Sequence, residues 1–230
     1  MRKYKDIVMF VLVCFSLIWF TACSNKEEEH NTGFVFDNTN KELSLELDDS
    51  TCSLKLGDKL GSNVTSMLEN FYGNQSAYKN DTNSKLGTQE SLNKFMSENY
   101  KYVSGEVDAA EDELNAYIEG YSYNTNVRIL GGETSNGYFT VTVYNPTDTP
   151  VSIEDGIIKS IWLLNCNDLT FEYDGINSFS TYDEVKDLLS SYTEITEPFY
   201  TDKEFNKIDD KENVSIYLND NKVVGIKIAY

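Results

Sequence analysis

Tyr138-Phe139-Thr140-Val141-Thr142-Val143-Tyr144 is the stretch from which the fold is read. Phe139, Val141 and Val143 recur at the two-residue period of a pleated strand and so share one face. Asn145-Pro146-Thr147-Asp148 then turns the chain, with proline presetting one dihedral. Val151 and Ile153 resume extended structure. Ile157, Ile158, Ile161, Leu163 and Leu164 follow, apolar enough to predict a strand buried on both faces. On the other side, Gly131-Gly132 reads as a turn. Leu114 to Ile129 fits either strand or helix, and Tyr117, Tyr121 and Tyr123 tilt it towards strand.

Further out, Leu43, Leu45 and Leu47 alternate, as do Leu54 and Leu56, with Asp48-Asp49-Ser50 as the turn between two short strands. Ser62 or Asn63 can cap a helix in which Val64, Met67, Leu68 and Phe71 form one apolar stripe, and Gly73 stands where the helix should stop. Asn74 to Gly87 is polar and predicts a loop. Thr88 can cap a second helix that turns Leu92, Phe95 and Met96 inward. The acidic run Glu106 to Glu113 reads as a surface loop or solvated helix face; it lacks the glycine and the oxygen spacing of an EF-hand loop. Towards the C-terminus, Leu169 to Tyr173 is a strand and Asp174-Gly175 a turn. Thr181 with Glu184 forms a capping box for a helix that faces Val185, Leu188 and Leu189 inward. Val214 to Leu218 and Val223 to Ile228 close the chain as a hairpin around Asn219-Asp220-Asn221.

These elements predict an α+β fold: short helices packed on antiparallel sheet. The pair Val141-Thr142-Val143-Tyr144 and Gly156 to Ile161 is matched by Ile216-Tyr217-Leu218 and Val224 to Ile228, each some way behind a strand and a capped helix. Two α+β units follow from this repeat, residues 43–165, with an insertion at 74–137, and residues 166–230. With Leu54-Lys55-Leu56-Gly57-Asp58 ahead of a helix ending at Tyr72-Gly73, the element order resembles the tandem units of BLIP-like proteins and the small outer-membrane lipoprotein A group. That resemblance implies protein binding; a single unrelated α+β domain is the alternative.

The N-terminus has its own signature. Met1-Arg2-Lys3-Tyr4-Lys5 is basic, Ile7 to Phe20 is apolar, and Phe20-Thr21-Ala22-Cys23 follows. The apolar run is shorter than the roughly 20 residues of a spanning helix and reads as a secretory signal over residues 1–22. Phe20-Thr21-Ala22-Cys23 resembles the lipobox of bacterial lipoproteins, with Phe20 where leucine is usual. The resemblance implies a diacylglyceryl group on Cys23, which becomes the first residue of the mature protein. It also implies attachment to the cell membrane on the extracytoplasmic side. Residues 23–42 are polar, carry Glu27-Glu28-Glu29 and serve as a tether. Two or three acyl chains, at about 0.8 kcal/mol per buried CH2, hold such a protein without a transmembrane helix.

Composition narrows the function. A formal net charge of −19 repels phosphate backbones, so no nucleic-acid partner is expected. The one histidine, His30, lies in the tether, too isolated for a triad or a metal site, and neither metal nor cofactor is expected. Cys52 and Cys166 are left once Cys14 departs with the signal and Cys23 is lipidated. An even pair in an oxidising compartment suggests a disulfide, with two buried free thiols as the alternative. No Gly-x-Ser-x-Gly, His-Glu-x-x-His or usable Cys–His pair is present, so no catalytic residue is named. The reading is a non-enzymatic lipoprotein with a protein or peptide partner or an envelope-structural role. Its binding surface is an aromatic sheet face drawn from Tyr117, Tyr121, Tyr123, Tyr138 and Trp162. The alternatives are an envelope hydrolase using paired carboxylates among Glu133, Asp155, Glu172 and Asp174, and a small solute-binding lipoprotein.

Overall fold

A computed structural model describes residues 42–72, 85–135, 137–188, 193–195, 203–208 and 213–229. Cys23, the signal, the tether, Gly73 and most of the loop expected over 74–87 lie outside the described residues, as do the side chains of Leu188 and Leu189.

The chain opens with a hairpin, β1 (Leu43–Leu47) and β2 (Ser50–Leu54). The strict alternation of β1 puts Leu43, Leu45 and Leu47 in the core. Helix α1 (Gly61–Tyr72) buries Val64, Met67, Leu68 and Phe71, the stripe expected from their spacing. Removing each from water contributes about 1.5–3 kcal/mol. After β3 (Lys85–Leu86) come three helices, α2 (Gln89–Glu98), α3 (Tyr100–Val103) and α4 (Glu111–Asn124). The middle of the chain is β4 (Val127–Thr134), β5 (Gly137–Tyr144), β6 (Val151–Ser152) and β7 (Ile157–Leu164). Then follow β8 (Leu169–Tyr173), β9 (Ile176–Asn177) and α5 (Tyr182–Leu188). Strands β10 (Thr193–Ile195), β11 (Lys203–Ile208), β12 (Asn213–Asn219) and β13 (Lys222–Ala229) complete it.

The fold is α+β. Among the described residues, one antiparallel sheet runs β2-β1-β8-β9 and the other β10-β11-β12-β13-β7-β5-β4, with β3 and β6 paired apart. Inward residues of both large sheets join α1 and Val185 of α5 in one core. Two hairpins use the tight turn foreseen from sequence. Asp174 and Gly175, and likewise Asp220 and Asn221, all take positive φ, as a two-residue turn matched to strand twist requires. The capping boxes also form. Thr88 Oγ1 accepts from Ser91 N–H at 3.0 Å, and Glu184 accepts from Thr181 N–H at 2.8 Å.

Three expectations are corrected. Residues 43–165 and 166–230 are not separate units. β8 pairs with β1, and β13 pairs with β7, so each sheet is built from both sides of the proposed boundary. The segment at Tyr117, Tyr121 and Tyr123 is helix α4, not strand. Its first turn holds Glu111, Asp112 and Glu113, whose charges favour a helix N-terminus, and Tyr117 and Tyr121 sit one turn apart on one side. Gly131-Gly132 is not a turn but the middle of β4. Gly131 has φ +97°, and a Cβ there would lie 2.1 Å from the Phe139 carbonyl oxygen and 2.9 Å from the Tyr72 hydroxyl. That hydroxyl, from the last residue of α1, accepts from Gly132 N–H at 2.6 Å, and its one proton is shared between the carbonyls of Gly132 and Phe139. A side chain reaches into the β4–β5 ladder, and only glycine leaves room for it.

Candidate functional site

The register of the larger sheet decides what its two faces carry. Phe139, Val141, Ile161, Leu163, Ile226, Ile228, Ile216 and Leu218 point into the core. The alternate residues form the outer face. Across five strands, Glu133 stands beside Tyr138, Tyr138 beside Leu164, Leu164 beside Gly225, and Gly225 beside Tyr217. The next row is Thr140, Trp162, Lys227 and Ser215.

Trp162 joins the two rows. Its ring meets Tyr138 edge-on at 4.6 Å and lies nearly parallel to Tyr217 at 6.4 Å. The Lys227 ammonium sits over it, 5.0 Å from the ring centroid. Leu164 is buried in these surroundings although it points away from the core. The strand β7 is therefore covered on both sides only at its Leu164 end; Ser160 and Trp162 are half-buried. The indole Nε1 of Trp162 is shut off from solvent and has no hydrogen-bond partner. An indole N–H is a donor only, and leaving it unmet costs roughly 1–3 kcal/mol.

Two of the five sequence candidates, Tyr138 and Trp162, thus lie together on the outer face. The other three lie on α4. Tyr117 stacks on Phe95 at 5.5 Å and on Tyr102 at 5.2 Å, and Tyr121 lies 6.5 Å from Phe95. Burial and the neighbouring Tyr121 push the Tyr117 hydroxyl up to about 12. Tyr123 is exposed. These helices emerge beside Tyr144, at the far end of β5 from Tyr138. Asn145 N–H donates to the Asn126 carbonyl at 2.8 Å, and the six residue steps from Tyr138 to Tyr144 span about 20 Å. The structure brings the candidates together as two groups, not one. Tyr217 and Lys227 belong to the sheet group and were not foreseen. The alternation of Ser215 and Tyr217 against Val214, Ile216 and Leu218 puts Tyr217 on the outer face, but only the strand register puts it beside Trp162.

The expected disulfide is absent, and both thiols are free. Cys52 lies on the first hairpin, its thiol donating to the Met67 sulfur of α1 at 3.2 Å. Cys166 follows β7 and donates to the Tyr138 carbonyl at 3.3 Å. Parity and compartment alone suggested the pair, and neither places two sulfurs side by side. Burial raises each thiol to about 11, so neither is a ready nucleophile.

The carboxylates proposed for hydrolysis are dispersed over different elements. Glu133 is exposed on β4, Asp155 follows β6, and Glu172 and Asp174 belong to the smaller sheet and its turn. Asp155 is held below the usual carboxylate range by Lys59, 2.9 Å away, and by Ser152. Among the described residues, no three His, Cys, Asp or Glu side chains gather as a metal site, and no helix is long and apolar enough to cross a membrane. Searches with family models, among curated proteins and among solved structures each returned no match to this chain.

Proposed function

We propose that this chain is a lipid-anchored, extracytoplasmic binding protein. Cys23 holds it to the cell membrane, and the outer face of the larger sheet takes a protein or peptide partner without catalysis. The anchor reading is supported by Phe20-Thr21-Ala22-Cys23 behind a short apolar run. The observation that carries the binding reading is the half-buried pair Tyr138 and Trp162, ring centroids 4.6 Å apart, on a sheet face outside the core. Aromatic residues with a polar tip are the usual anchors of binding surfaces.

The two halves of the reading are tested separately. Cys23→Ala should move the protein out of the membrane fraction after a high-salt wash; equal retention of wild type and variant defeats the anchor. For the face, wild type and Trp162→Ala are affinity-purified from native membranes. A partner that is retained by wild type and lost by a variant of unchanged fold supports it. The same partners on both proteins defeat it.

A further inference from the structure

We propose that Phe179 anchors a second protein–protein contact, apart from the Trp162 face. Its ring enters an apolar pocket of a partner protein, and basic side chains on the rim of that pocket meet the carboxylates around it.

Phe179 is the most exposed large hydrophobic side chain among the described residues, at 78 % of its surface. It lies between β9 and α5, in a loop whose backbone is held from within. Phe179 N–H donates to Asn177 Oδ1 at 2.8 Å, and Ser180 N–H to the Asn177 carbonyl at 3.0 Å. Asn177 N–H donates in turn to Ser180 Oγ at 3.0 Å. Both ends of the loop are also tied to sheet. Phe171 N–H of β8 donates to Ser178 Oγ at 2.9 Å, and Val223 N–H of β13 to the Ser180 carbonyl at 2.9 Å. A loose loop lets such a ring fold back onto the core; this one holds it in water. The ordering that a contact normally requires is therefore in place before the partner arrives. A whole aromatic ring carries enough apolar area to dominate a contact once a pocket takes it from water.

Charge selects the occupant. Asp183, Glu184 and Asp187 of α5 and Asp220 of the β12–β13 turn are exposed, against Lys186 and Lys222. That turn belongs to the same corner: Tyr182 N–H donates to the Asn221 carbonyl at 2.9 Å, and Thr181 bridges to Lys222. An acidic rim repels an anionic bilayer surface. It also repels a second copy of a chain with a formal charge of −19. A pocket rimmed by Lys or Arg is attracted instead, which speeds encounter and fixes how the ring enters. Five residue steps of β13, about 17 Å, separate Lys222 from the Lys227 that covers Trp162, so this corner stands apart from that ring.

The test places the photo-cross-linker p-benzoylphenylalanine at position 179 of the full chain and irradiates native membranes. The control carries it at Glu46, exposed on the smaller sheet. A protein adduct specific to position 179 is expected, identified by mass spectrometry. That protein is then purified and titrated against the full chain in detergent micelles. Phe179→Ala should weaken binding tenfold or more and Phe179→Leu by less, both at an unchanged melting temperature. Asp183→Asn together with Asp187→Asn should weaken it about threefold, and added salt should weaken the wild type. No adduct, the same adduct from position 46, or an adduct with lipid or with a second copy of this chain overturns the proposal. So does full affinity in Phe179→Ala, or binding that salt strengthens.

Discussion

Two tyrosine-rich clusters, one on the helices and one on the sheet, are built from the same kinds of side chain and finished differently. Around α4, Phe95, Tyr102, Tyr117 and Tyr121 pack ring against ring. Tyr117 is buried there like a core residue. On the sheet, Tyr138, Trp162 and Tyr217 sit outside a core already filled from the other face, and Trp162 keeps a polar hydrogen with no acceptor. A ring cluster that replaces a core explains itself. One that lies outside a finished core contributes less to stability.

The comparison breaks most readily at Tyr117. Tyr117→Ala should cost about 3–5 kcal/mol, the range for emptying a large aromatic site. Tyr138→Ala, half-buried and on the finished side, should cost less than about 2 kcal/mol in the same urea titration. Equal losses would make both clusters structural. Next is the seat of the helices. Asn145 is buried, and its side-chain amide donates to the Gly87 carbonyl at 2.9 Å. Asn145→Ala should cost about 1–3 kcal/mol and speed amide exchange over 89–124 more than in the sheets.

Alkali tests the buried hydroxyls and thiols. Burial raises Tyr72 and Tyr117 from 10.0 to about 12, and Cys52 and Cys166 from 9.0 to about 11. Groups raised in the folded state favour folding below their unfolded values and lose that favour as pH climbs through the folded ones. The melting temperature should therefore hold up to about pH 9 and fall between about pH 9 and 12. A flat profile to pH 12 would contradict the burial of these groups. The smallest effect belongs to Trp162→Phe. It removes a donor that nothing accepts from, so stability should stay within about 0.5 kcal/mol of wild type or rise slightly. A loss of 2 kcal/mol or more would move Trp162 into the structural group.

Much of the framework was legible because its causes are local. Alternation at Leu43, Leu45 and Leu47, the stripe from Val64 to Phe71, and the caps at Thr88 and Thr181 each depend on residues a few positions apart. The misreadings share a longer range. Gly131 answers to a hydroxyl 59 residues earlier in the chain, Tyr72, and no neighbour in sequence hints at it. The internal repeat captured element order but not partner choice, and pairing β1 with β8 and β13 with β7 is a matter of tertiary contact. At α4, tyrosines favoured strand by propensity, yet the packing of Tyr117 on Phe95 and Tyr102 overrode it. Of the candidate site, Tyr138 and Trp162 could be read from alternation alone. Lys227 and Tyr217 needed the register between strands that are far apart in sequence.

The neck of the helical region carries a last consequence. Gly87 N–H donates to the Thr125 carbonyl at 2.9 Å, and Ser91 Oγ donates to the Asn124 carbonyl at 3.0 Å, so the chain leaves the sheets and returns at one spot. In engineering terms, residues 88–124 are a cassette. Its ends already meet, so a link of a few residues can close the gap with little added loop entropy, and a foreign domain with adjacent termini can be grafted in its place. The same adjacency makes this the position where lineages can lengthen, shorten or exchange the protein's helices while every strand keeps its neighbour.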